Sequence, residues 1–123
     1  MRVEQGFIRQ QLFGGKRELQ CVICGRSFPT ELVRAAHIKR RADCSSAEKR
    51  DYQNNVVPMC TLGCDELFER GYVVVRDGSV QKGRKVASTP AVEDYIAQIV
   101  DRLCLSYYRG SDLYFNWHSQ AYD

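Results

Sequence analysis

Two close cysteine pairs, Cys21-Val22-Ile23-Cys24 and Cys60-Thr61-Leu62-Gly63-Cys64, bracket the chain's first histidine, His37, and the second pair runs straight into Asp65. Four thiolates suit a tetrahedral structural zinc, which takes sulfur at about 2.3 Å and accepts two sulfurs from one C-x2-C knuckle. Gly25, directly after Cys24, can adopt the positive φ that such a turn often needs. The C-x3-C spacing is less usual, and it works if Cys60 ends a strand and Cys64 opens a helix. Zinc on Cys21, Cys24, Cys60 and Cys64 is therefore the expectation, with two disulfides or unliganded thiols as the alternatives.

Cys44 and Cys104 belong to neither pair. Cys104 sits in an apolar pattern and reads as a small core residue, while Cys44 lies in a polar stretch and has no assigned role. Taken singly, His37 reads as an ordinary core or surface histidine, Asn55 as a turn residue, and Asp65 as the cap of the helix it precedes. His118 beside Trp117 reads as a packing pair.

The elements that must position these residues are short, because 123 residues leave room for one modest core, and one domain over residues 1–123 is expected. No apolar run approaches the roughly 20 residues needed to cross a bilayer, so a soluble protein without a membrane partner is expected. The opening Met1-Arg2-Val3-Glu4-Gln5-Gly6 lacks a secretory pattern, so a cytoplasmic setting is expected, in which thiols bind metal rather than pair as disulfides. Net charge is only +3, but residues 1–50 hold 11 Lys or Arg against 5 Asp or Glu, and the excess sharpens at Lys39-Arg40-Arg41. Such a cluster suits a phosphate backbone or a solvated loop, and charge alone does not decide between them.

Glu4–Phe13 carries a short amphipathic pattern that Gly14-Gly15 ends. Glu31–Ile38 fits helix or strand. Residues 39–54 read as a long polar loop holding one helical turn at Ala47–Asp51, and Val56-Val57-Pro58-Met59 as a brief strand with Pro58 at an edge or end. Asp65–Arg70 reads as a short helix stopped by Gly71. Tyr72–Val75 and the residues after Asp77-Gly78 read as a β-hairpin, followed by a basic connector at Lys82–Lys85. From Ala91 to about Tyr107, Val92, Tyr95, Ile96, Ile99, Val100, Leu103 and Cys104 form one apolar stripe, which predicts a long helix opened by Ser88-Thr89-Pro90.

In order, Ala35-Ala36-His37-Ile38, Asn55-Val56-Val57, Cys60, and Cys64-Asp65-Glu66-Leu67-Phe68-Glu69-Arg70-Gly71 resemble the zinc-stapled branch of the HNH endonuclease family. The resemblance covers residues 21–72 and is weaker over Gln5–Gly15 and Tyr114–His118. It implies an α+β fold: a small ββα-metal core with a structural zinc site, flanked by an N-terminal helix, a β-hairpin and a C-terminal helical extension over about 88–123.

By the same resemblance His37 falls on the general base, Asn55 on the asparagine that braces the loop, and Asp65 on a ligand of a catalytic divalent metal, Mg²⁺ or Mn²⁺ and in some settings Ni²⁺. Lys39, Arg40 and Arg41 would then grip the phosphates of double-stranded DNA. The implied activity is DNA phosphodiester hydrolysis, with restriction or defence against foreign DNA as the suggested setting and a homodimer as one route to double-strand breaks. Ala36 stands where many members carry a second metal ligand. A zinc-stapled module that grips nucleic acid or protein without cutting is accordingly the alternative reading.

Overall fold

The computed structural model describes residues 3–84 and 88–122; Lys85, the last residue of the expected basic connector, lies outside them. The protein is a mixed α+β fold built from three separate two-stranded antiparallel sheets and six α-helices among the described residues, two of them one-turn helices. Helix α1 (Val3–Phe13) ends where Gly14 and Gly15 turn the chain, as its sequence predicts. Strands β1 (Glu18–Gln20) and β2 (Ser27–Pro29) pair with Leu19 opposite Phe28, and the loop between them is the first cysteine knuckle. There the Cys21 amide donates to the Arg26 carbonyl (2.9 Å) and the Gly25 amide to the Cys21 carbonyl (2.9 Å), with Gly25 at φ +76°.

Strand β3 (Val33–His37) settles the ambiguity of residues 31–38 in favour of extended chain. The one-turn helices α2 (Ser46–Lys49) and α3 (Tyr52–Asn55) occupy the polar stretch, the first closed by a capping box between Ser45 and Glu48. Strand β4 (Val56–Cys60) pairs with β3 in a register that sets His37 opposite Val56, Ala35 opposite Pro58 and Val33 opposite Cys60. Pro58 brings no amide to the sheet, but its carbonyl accepts from Val22 (3.0 Å), which ties the first knuckle to β4. Helix α4 (Cys64–Glu69) follows and completes the ββα unit, with Gly71 at φ +80° just beyond it.

The two faces of the β3–β4 pair bury different partners, because strand side chains alternate. Val33, Ala35 and Val56 pack with Ile8 and Phe13 of α1, whereas Ala36, Ile38, Val57 and Met59 join the larger core with the cysteines and Phe68. Strands β5 (Val73–Arg76) and β6 (Ser79–Lys82) form the expected hairpin. Its turn residues Asp77 and Gly78 both have positive φ (51° and 85°), as a two-residue hairpin loop of type I′ requires.

The C-terminal part departs from the pattern reading. Helix α5 runs from Pro90 only to Ile99, not to Tyr107: Val100 turns extended (ψ 152°) and Asp101 takes φ +68°. The cause is the open edge of β6, which claims the backbone that the apolar stripe would have continued. Val80 donates to Arg102 (2.8 Å), Asp101 donates to Val80 (2.7 Å), and Cys104 donates to Gly78 (2.8 Å). Leu103 is consequently exposed while Cys104 stays buried. A separate helix, α6 (Asp112–Ala121), then packs on β5 and α4. Its Phe115 meets Phe68 edge-on at 6.1 Å, and its His118 stacks flat on the Phe68 ring at 3.6 Å. Among the described residues no helix is long and apolar enough to cross a membrane.

Candidate active site and metal centre

The four cysteines converge. Cys21 and Cys24 come from the knuckle, Cys60 from the end of β4 and Cys64 from the start of α4, and their sulfurs all lie within 4.8 Å of one another in the buried core. Tetrahedral coordination at about 2.3 Å would set sulfurs about 3.8 Å apart, so the donor set fits a structural metal after small adjustment. Ionising the set without a metal is costly: contact with Cys60 and burial push the Cys21 thiol up to about 11. A bound divalent cation would offset that cost by taking the sulfurs as thiolates.

Two groups outside the cysteine pairs complete the surroundings. The Tyr95 hydroxyl of α5 lies 3.2 Å from Cys64 Sγ and 4.0 Å from Cys60 Sγ, and the Arg26 guanidinium reaches Cys24. Position 63 must be glycine for Tyr95 to sit there, because a Cβ would fall 2.8 Å from the ring. Tyr95 had been legible only as one member of an apolar stripe, since nothing in its neighbourhood in sequence signals a cysteine partner.

Beside this centre a cleft of about 360 Å³ opens between the end of β3, α4 and α6. His37, Asp65, Arg34, Arg41, Glu69 and Trp117 are among its lining residues, so the fold brings His37 and Asp65 to one cavity. By alternation Arg34 and Ala36 face α4, and His37 reaches the cleft as the last residue of its strand.

Asn55, only 1% exposed, closes on both backbone polar groups of Lys39. Its Oδ1 accepts from the Lys39 amide (2.8 Å) and its Nδ2 donates to the Lys39 carbonyl (3.1 Å). The Ile38 amide in turn donates to the Asn55 carbonyl (2.8 Å), so the turn after His37 is pinned on both sides. Cys44 joins this lock, with its Sγ 3.6 Å from Asn55 Nδ2 and 3.5 Å from the Lys39 carbonyl. That gives Cys44 a contact the sequence did not signal.

Asp65 is the second residue of α4, whose N-cap is Gly63, so it does not hold the capping position; it lies 5% exposed and pairs with Arg34 (Nη1 to Oδ2, 3.0 Å). Burial pushes its carboxyl up, and Arg34 pulls it part of the way back. Glu69, one helical turn on, and Glu66 present carboxylate oxygens within 4.8 Å of it and of each other, while Glu66 also pairs with Arg70 at 2.8 Å. Hard oxygen donors of this kind suit Mg²⁺ or Mn²⁺.

Of the three cations expected at phosphate, Lys39 is turned inward. Its ammonium pairs with Glu48 (3.1 Å), stands 5.3 Å over the Trp117 ring, and leaves the side chain 14% exposed. Arg40 pairs with Asp43 (3.0 Å) but stays 61% exposed, and Arg41 lines the cleft. His118 is buried rather than available: its Nε2 lies 2.7 Å from the Phe68 carbonyl, and burial lowers its pKa to about 4.

No curated protein matches the chain. Residues 21–76, which run from the first cysteine to the end of β5 and hold the ββα unit with its four cysteines, match the family model described as HNH endonuclease.

Proposed function

We propose that this domain is a metal-dependent endonuclease that hydrolyses DNA phosphodiester bonds. The observation that carries the reading is the shared cleft: His37, followed by a turn that Asn55 locks on both sides, lines the same cavity as the buried carboxylate Asp65. His37 takes the proton from the attacking water, a role suited to imidazole because it exchanges protons near neutral pH. Asp65 and Glu69 are the residues that would hold a catalytic divalent metal, which when bound supplies charge stabilisation at the scissile phosphate and the departing 3′ oxygen. Zinc on Cys21, Cys24, Cys60 and Cys64 holds β4, α4 and the knuckle in register and takes no part in proton transfer. Arg40 and Arg41, at the cleft rim, meet the backbone phosphates of duplex DNA.

One protomer offers one such cleft among the described residues, so a double-strand break takes two copies or two encounters. The reading is tested by plasmid nicking with Mg²⁺, Mn²⁺ or Ni²⁺. His37→Ala should lower the rate about 100-fold or more while DNA binding persists. Absence of cutting under all three metals, or undiminished cutting by His37→Ala, would refute it.

A binding module without catalysis is the second reading, and Ala36 favours it, since a buried methyl group stands where a strand-borne ligand would be. Retained DNA retardation without nicking would select this alternative.

A further inference from the structure

Arg34 holds a position that the expected machinery leaves without a role. It faces α4 from β3, two residues before Ala36, and its guanidinium reaches past that small side chain to Asp65 at 3.0 Å. One end of the side chain is in the carboxylate cluster, while 55% of it is open to solvent and the side chain of Asp65 is 7% exposed. Glu66 has its own cation in Arg70. Arg34 is therefore the cation that balances the buried carboxylate in the metal-free protein, and it stands where a divalent ion bound to Asp65 and Glu69 would place its charge.

We propose that Arg34 is an exchangeable counter-ion: it holds Asp65 until a divalent metal binds, then turns its guanidinium to a phosphate oxygen of the DNA in the same cleft. The inference rests on the metal-dependent reading above and adds a residue and an order of events to it. The chemistry is suited to the exchange, since a guanidinium fork binds carboxylate and phosphate with the same bidentate geometry. Its long, half-exposed side chain can move between them without disturbing the strand. Two consequences follow by linkage. Metal must displace Arg34 to reach Asp65, so Arg34 weakens metal binding in the free protein. DNA draws Arg34 away from Asp65, so DNA and metal strengthen each other's binding by an equal factor.

The experiment uses the zinc-loaded full chain, with Mn²⁺ binding followed by electron paramagnetic resonance for wild type, Arg34→Gln and Arg34→Lys. Arg34→Gln should bind Mn²⁺ about fivefold tighter, the scale of a partly exposed ion pair. In Mn²⁺ and on a His37→Ala background that prevents cutting, it should also lower the salt slope of duplex binding by about one. Arg34→Lys keeps the charge and loses the fork; it should hold Mn²⁺ within about twofold of wild type and bind duplex more weakly.

Unchanged or weaker Mn²⁺ binding by folded Arg34→Gln overturns the proposal. If that variant does not fold, a fivefold change in Mn²⁺ affinity with Arg34→Lys overturns it, and wild-type affinity with weakened duplex binding supports it. Failure of all three proteins to bind Mn²⁺ would overturn this proposal together with the metal-dependent reading. Metal-dependent cutting with unchanged Mn²⁺ affinity would overturn this proposal alone.

Discussion

Truncating Asn55 to alanine isolates the contribution of the lock behind His37. The side chain makes two hydrogen bonds to the Lys39 backbone, at 2.8 and 3.1 Å, and a weaker contact to Cys44. Each backbone bond is worth about 1 kcal/mol net, and the two Lys39 groups left behind are half-buried, so water recovers only part of their loss. A destabilisation of about 2.5 kcal/mol results. A chain of 123 residues unfolds with an entropy of about 0.26 kcal/mol/K, which converts that figure to a fall in Tm of about 10 °C.

Asn55→Asp is the discriminating companion. It keeps the acceptor for the Lys39 amide but sets a carboxylate oxygen against the Lys39 carbonyl, so its Tm deficit should shrink as pH is lowered and the carboxyl regains a donor proton. Thermal melts by circular dichroism, with nicking assays at 25 °C where the variants remain folded, read both effects. Cutting should fall about 100-fold, because His37 lies two residues before the unlocked turn. A Tm within about 2 °C of wild type for Asn55→Ala would refute the reasoning.

Two further outcomes follow from other buried groups. His118 has a folded pKa of about 4 against an ordinary value of 6.5. Above pH 6.5 it is neutral in both states and contributes no pH dependence; as pH falls toward 4 only the unfolded chain gains the proton. Stability should therefore drop by about 2 kcal/mol between pH 7 and pH 5 and level off below pH 4, and His118→Phe should flatten that part of the profile in urea titrations. Cys21→Ser removes one sulfur from the buried set of four. Thiolate coordination in small metal-dependent domains is worth about 10 kcal/mol or more, comparable to a whole domain's stability, so the variant should lose bound metal and most of its tertiary structure. Metal analysis showing a folded wild-type protein with no bound metal would contradict it.

The features legible in the sequence are those whose cause is local. The C-x2-C turn with Gly25, the Asp-Gly hairpin turn, and the stop of α1 at Gly14 each depend on a few adjacent residues and on backbone conformations that glycine permits. The order of cysteines, His37, Asn55 and Asp65 was also readable, because the motif occupies a short stretch of chain. Pattern reading failed where the backbone had a distant partner. The apolar stripe continues past Ile99 without a break, yet the open edge of β6 offers hydrogen bonds that end α5 there. Helix α6 has its apolar positions interrupted by polar ones, and it is held by Phe68 and β5 rather than by its own periodicity.

By itself, then, the sequence determined that four thiols would come in two close pairs and that a histidine, an asparagine and an acid would stand between and beside them. Only the tertiary structure decided which charges meet. It turned Lys39 onto Glu48 and Trp117, set Tyr95 against Cys64, and placed Arg34 on Asp65 across a distance that no spacing encodes. The physical reason is range: chelation and turns act over a few residues, whereas ion pairs and outer contacts of a metal site depend on how the sheet and helices pack.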